Sequence, residues 1–381
     1  MKTFFLVVSI LFLSFNFSIN NSYAFANEFE DSMEEQLEKI DFSQIEEYLN
    51  DSNINFNLIE ELKKMINGEY EFNFVDLLNV LFSGLVTAIK KSSPIIVSIF
   101  SIGALSLIFN VFKEKNLSSK VSEIVFFVFL IAISTILLGY LINIITQCKK
   151  TIINLTKIVE IMSPIIISLL VVSGGKISAS LLSPTVTFLS SGILATILNI
   201  LIPVSILVLV LEIISVFSSH VRLNRFSELF TSVLKWILSI IVFIFGVYIT
   251  VQGIVSGVHD GISIKATKYL LSSSLPIVGG LVKDGFDVLV GGAILIKNSV
   301  GICAVIISFL TVVPIVIQLL SFSFLIKFSS GLLDFVADTR FSNLCSAFIK
   351  FINYLLAFLI IAIILITVTF IVFIISSNSL I

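Results

Sequence analysis

Side chains able to do chemistry are few in this chain and unevenly placed. Between Gly246 and Gly301 lie His259, Asp260, Lys265, Lys268, Lys283, Asp284, Asp287 and Lys297, among many glycines, with almost purely apolar sequence on both sides. A carboxylate beside an imidazole can orient it for acid–base work. However, Asp-Gly is also a turn signal, and no nucleophile lies at a useful spacing, so His259-Asp260-Gly261 is expected to be a turn. Further on, Val278, Leu281, Val282, Phe286, Leu289 and Ala293 make one helical stripe, and Gly280, Lys283, Asp284, Asp287 and Gly291 make the opposite face. Lys283 and Asp287 are i, i+4 neighbours and can pair. Gly279-Gly280 and Gly291-Gly292 would let another backbone approach closely. The favoured reading is a hairpin, with Lys297 at its end, that lines a pore or contacts another subunit. The alternative is an amphipathic helix lying on the surface and closing a bundle.

Glu212 is the other conspicuous group. It sits near the middle of an apolar run, where a carboxylate costs about 2–3 kcal/mol and must face a bundle interior. Ser205, Ser215 and Ser219 share its helical face. A proton or substrate site and a serine- or backbone-bonded structural glutamate are equally compatible with that placement. Cys148, Cys303 and Cys345 are odd in number and lack CxxC spacing, so they read as buried small apolar residues. With only two histidines, His220 and His259, zinc clusters and catalytic triads have little support, and no Walker loop, HExxH or GxSxG motif is present. No enzymatic activity, metal or cofactor is expected. A net charge of −2 gives no reason to expect a nucleic-acid partner.

The elements that must position these groups follow from composition. The chain is 57% hydrophobic and 13% charged, with mean hydropathy +1.11, against about 25% charged residues in soluble domains. Such a chain is a polytopic membrane protein. Its apolar runs are too long for barrel strands, so the expected fold is all-α, with about six long spans plus two re-entrant or short-span hairpins. Residues 1–26 read as a signal peptide, with Lys2, an apolar core from Phe4 to Phe15, and Ala24-Phe25-Ala26 as the cleavage site. Residues 27–92 form an acidic, amphipathic-helical region. Fifteen of the 25 acidic residues fall there, so it is expected to lie outside the cytoplasm, as a docking arm or as a solvated cap. Its strongest stripe, Phe74 to Ile89, is expected along the membrane surface.

Residues 93–158 hold the first two spans, with a loop expected around Lys149, Lys150 and Lys157. A broken hydrophobic hairpin follows from Glu160 to Ile200, interrupted by Pro164, Gly174-Gly175-Lys176 and Pro184. Three clusters of basic residues, around Lys113–Lys120, His220–Lys235 and Lys327–Lys350, mark cytoplasmic loops. The last two share the pattern R-F-S-x-L-x5-K. Arg225-Phe226-Ser227-x-Leu229 leads to Lys235, and Arg340-Phe341-Ser342-x-Leu344 leads to Lys350. With Pro164/Pro276 and Pro203/Pro314 at similar offsets, this suggests a parallel internal repeat, 159–258 and 259–381, whose second copy carries the amphipathic hairpin 259–297.

On these residues the chain resembles the stage III sporulation protein AE family of endospore-forming bacteria. The resemblance covers roughly Glu160 to the C-terminus. It is densest at Val251-Gln252-Gly253, Asp260-Gly261, Lys268-Tyr269, Pro276-x-Val278-Gly279 and Leu295-x-Lys297-Asn298-x-x-Gly301. It implies a polytopic protein of the mother-cell membrane around the forespore. Such a protein would be a structural or conducting subunit of a transenvelope channel, needed for late forespore development. Its implied partners are other subunits of that channel, including exported ring-forming and forespore proteins, and membrane lipid. It implies no catalytic residues. The alternative function is a secondary transporter using Glu212.

Overall fold

The computed structural model describes residues 37, 40–52, 54, 56–70, 74–116, 119–217, 223–274, 279–334 and 339–376. Side chains are described for these except at 74–81, 91, 96, 106–122, 224, 252–288 and 332–339. The signal-peptide reading therefore lies outside the described residues. Among them every element is helical.

Two short helices come first, α1 (Ser43–Asp51) and α2 (Leu58–Ile66). Long helices follow: α3 (Phe74–Asn116), α4 (Ser119–Val172), α5 (Lys176–Thr187), α6 (Ile202–Phe217), α7 (Asn224–Ser274), α8 (Gly279–Asp334) and α9 (Thr339–Ile375). Two π-helical segments, Phe188–Leu194 and Ile197–Leu201, join α5 to α6 into one continuous path. Among the described residues six stretches are long and apolar enough to cross a membrane: Phe82–Leu105, Glu123–Val172, Lys176–Phe217, Arg225–Val251, Leu289–Gly331 and Arg340–Ile375. The chain is thus an all-α, polytopic membrane fold.

Successive long helices are joined by a few residues and pack on one another, so they run antiparallel. Asn116 and Ser119, Phe217 and Asn224, and Asp334 and Thr339 therefore lie at one end of the bundle, called here the basic end, and Val172 and Lys176, and Ser274 and Gly279, lie at the other. At 173–175 the turn needs Gly174, whose φ of 89° is left-handed, where a β-carbon is disfavoured.

The centre is the α8–α9 pair, with 61% of the most apolar 18-residue stretch of each span buried, against 17% for that of α7 and 12% for that of α3. Phe322, Phe348, Phe351, Phe358, Phe370 and Phe373 are fully enclosed there. Tyr140 of α4 bonds to Ser92 of α3 at 2.8 Å and accepts from Gln318 of α8 at 3.4 Å, tying three helices together at one level. The acidic region folds back on the pair. Ile45, Leu49, Leu58 and Leu62 are buried, Tyr48 lies 3.4 Å from Thr311 of α8, and the Met65 sulfur lies 3.8 Å from that of Cys303. All three cysteines are free and buried.

Four local expectations are corrected. The stripe at 74–89 does not form a separate surface helix, because α3 runs unbroken through Pro94. No loop occurs at Lys149, Lys150 and Lys157; α4 continues through them, since lysine is a good helix former and its charge marks water, not a break. Pro164 and Pro184 lie inside helices and leave Gly174-Gly175 as the only break in that hairpin. The expected turn at His259-Asp260-Gly261 is also absent: α7 runs on to Ser274, and the helix ends just before Pro276, which disfavours helical geometry in its predecessor. Both expected hairpins are therefore the far ends of long antiparallel helices. At about 1.5 Å per residue, α4 with 54 residues and α8 with 56 are each about 80 Å long. A bilayer with its headgroups is about 40–45 Å thick. Each of these two helices is thus longer than the bilayer is thick.

Candidate functional site

Polar groups gather at two levels of the α8–α9 pair. Towards the basic end, Glu212 near the end of α6 accepts from Ser227 near the start of α7 at 2.7 Å, and it pairs with Lys350 of α9 through the same Oε1. The Glu212 side chain is 15% exposed and that of Lys350 is 41% exposed. One turn along α7, Thr231 accepts from the Tyr354 hydroxyl at 3.0 Å. Three helices are thus pinned by one ion pair and two hydrogen bonds, in surroundings where a lone carboxylate would be expensive. Ser205 donates to the Ile202 carbonyl, and Ser219 lies outside the described residues.

The two R-F-S motifs meet different surroundings. In α9, Phe341 and Leu344 are buried, Phe341 stacks edge-on against Phe126 with centroids 4.9 Å apart, and Ser342 lies 3.2 Å from Ser330. In α7 it is Ser227 that turns inward, while Phe226 and Leu229 are exposed. The serine of one motif and the terminal lysine of the other converge on Glu212.

Far from the basic end, Lys297 of α8 is fully buried. Its Nζ donates to the Ile374 carbonyl at 2.9 Å and to that of Ser376, capping the end of α9 where carbonyls lack helical partners. One turn on, Gly301 brings the backbones together; a β-carbon there would lie 2.6 Å from Ile374 Cγ1. Leu295-x-Lys297-Asn298-x-x-Gly301 is therefore a clamp between α8 and α9, and the amine of Lys297 is engaged within the chain. Of the other candidates, Gly291 is part-buried on α8. Gly280, Lys283, Asp284 and Asp287 fall on the first turns of α8, and His259 and Asp260 on α7, but their side chains lie outside the described residues.

The family described as Stage III sporulation protein AE matches residues 56–377. The chain belongs to this family. The Stage III sporulation protein AE of Bacillus subtilis (strain 168) is 29% identical over 280 residues, which cover 72% of this chain and 68% of that protein. No solved structure matches. The family match begins at the edge of α2 and ends just past α9, so it takes in the ion-pair level, the Lys297 clamp and the docked helix α2.

Proposed function

We propose that this family member is an integral-membrane structural or conducting subunit of the sporulation channel between mother cell and forespore. It would lie in the mother-cell membrane around the forespore and act in late forespore development. Bundle length is the observation that carries this reading. Helices of about 80 Å leave a helical layer outside the bilayer, a surface a transenvelope assembly needs and a simple pore in one membrane does not. The basic loops favour the cytoplasm for one end and the space outside the mother cell for the other. On that placement the acidic arm, the 173–175 turn and the adjoining ends of α7 and α8 at Ser274 and Gly279 would meet exported partners, including ring-forming and forespore proteins. Gly280, Lys283, Asp284, Asp287, His259 and Asp260 would stand in the same outer layer, as partner-contact or pore-lining groups.

Deleting the gene in its host tests this reading. The expected outcome is spores arrested after engulfment; normal spores would overturn the role. The transporter alternative keeps its own test. Glu212 is held by Lys350 and Ser227, which supports a fastening task. Solute uptake by the purified chain alone, abolished by Glu212→Gln, would instead favour transport.

A further inference from the structure

Near the basic end, a cleft of about 480 Å³ opens on the outer side of the bundle between the end of α8 and the first half of α9. Its polar lining is Lys327, Ser330, Ser342, Ser346, Lys350 and Asn353. On α9 the residues 342, 346, 350 and 353 fall on one helical face. Lys327, Ser346 and Asn353 are exposed. Lys350 and Asn353 lie 11 and 14 residues inside α9, about 16–21 Å along its axis. Both therefore sit within a membrane-crossing stretch. Lys350 is paired with Glu212, and Ser330 with Ser342, but the exposed ammonium of Lys327 and the exposed polar groups of Ser346 and Asn353 would be costly against hydrocarbon, so a polar cleft on the lipid side of a span suits an occupant.

The chemistry of the lining identifies that occupant. Two ammoniums, three hydroxyls and an amide are a set rich in donors. The carboxylate described beside them, Glu212, is already engaged by Lys350 and Ser227, which leaves Lys327 as a positive charge. Exposed Phe324 and Phe328 flank Lys327 on α8, where acyl chains would run. We infer that this cleft binds the phosphate headgroup of an anionic phospholipid, with Lys327 and the hydroxyls of Ser342 and Ser346 holding its oxygens and the two phenylalanines lying along its tails. Basic pockets between spans on the cytoplasmic side are suited to such headgroups. The inference rests on the membrane crossing of α8 and α9 and is independent of the sporulation role.

Native mass spectrometry of the full chain, released from nanodiscs of phosphatidylcholine with a minor fraction of phosphatidylglycerol, tests it. The unaltered chain should retain phosphatidylglycerol at activation energies that strip phosphatidylcholine. Lys327→Gln should lower that retention about tenfold, the scale of one charge-assisted hydrogen bond, and Lys327→Arg should keep it. Ser346→Ala, a smaller change on an exposed face, should also lower it and serves if Lys327→Gln does not fold. Lys235→Gln removes an exposed charge outside the cleft and should change nothing. Equal retention of the two lipids would overturn the inference, as would equal losses from Lys235→Gln and Lys327→Gln. Displacement by excess inorganic phosphate would assign the cleft to soluble phosphate and overturn the lipid assignment.

Discussion

At the scale of single residues, the Lys297–Gly301 clamp makes the sharpest demands. A β-carbon at Gly301 meets Ile374 at 2.6 Å, and the nearer atoms belong to a buried side chain with little room to retreat. Gly301→Ala should cost about 1–3 kcal/mol by overpacking, read as a lower unfolding temperature in detergent. Lys297→Met keeps much of the side-chain bulk but leaves the Ile374 and Ser376 carbonyls without their donor, for a loss of about 1–3 kcal/mol. An unchanged melting temperature for both would remove the clamp. For the ion pair, Glu212→Gln and Lys350→Met should each destabilise, and the double variant should cost less than the two together, because the partners couple. Strict additivity would mean that the pair holds nothing. Glu212 was legible in the sequence because a charge in an apolar run is rare. Its partner was not, since Lys350 lies 138 residues away and no local periodicity encodes that contact. Lys297 reads from the sequence as the end of a pore-lining or subunit-contacting hairpin, because spacing alone cannot tell a solvent-facing amine from one capping a distant helix.

At the scale of elements, α1 and α2 fold the acidic region onto the middle of α8, near Cys303 and Thr311. Leu58 and Leu62 are fully buried, and truncating either to alanine should cost about 2–5 kcal/mol of docking. Faster backbone hydrogen exchange in α2, with α8–α9 unchanged, is the expected readout; unchanged exchange would contradict the docking. Lys64 pairs with Glu60 at 2.7 Å and with Glu61 at 3.1 Å. That ammonium holds the Glu60 carboxyl below its usual range. A depressed carboxylate contributes stability above its unfolded pKa and loses it as pH falls through the folded value. The pair is exposed, so its contribution to α2 is small and fades only in acid. The sequence showed the amphipathic stripe of α2 and the break at Gly174. It misplaced the other breaks. Internal prolines and a lone Asp-Gly weaken a helix locally and lysine pairs mark water without weakening it, yet the long helices run across all three.

At the scale of the whole molecule, the number of spans and the all-α fold were legible because hydropathy reports directly on burial in lipid. The length of α4, α7 and α8 was not, because each joins an apolar stretch and a more polar stretch that read as separate elements. The exposed face of α4 shows the join. Ile124, Val128, Ile131 and Ile142 face outward along its first part, and Thr146, Lys149, Lys150, Lys157 and Glu160 along the next. From Ile124 to Ile142 is about 27 Å, close to the hydrocarbon thickness of a bilayer. On the proposed placement the bilayer surrounds the first stretch and the second stands in water on the arm side. Single cysteines at exposed Arg225 and Asn343 would place both R-F-S motifs on the cytoplasmic side, as a parallel repeat requires; opposite sides would refute it. The most direct test is a cysteine scan of the exposed face of α4, with the buried native cysteines replaced and a membrane-impermeant maleimide applied to cells. Val128, Ile131 and Thr135 should stay unlabelled, whereas Thr146, Lys149 and Lys157 should label from outside. Protection through all six positions, or labelling of the last three only after permeabilisation, would contradict a bundle that stands out of its membrane.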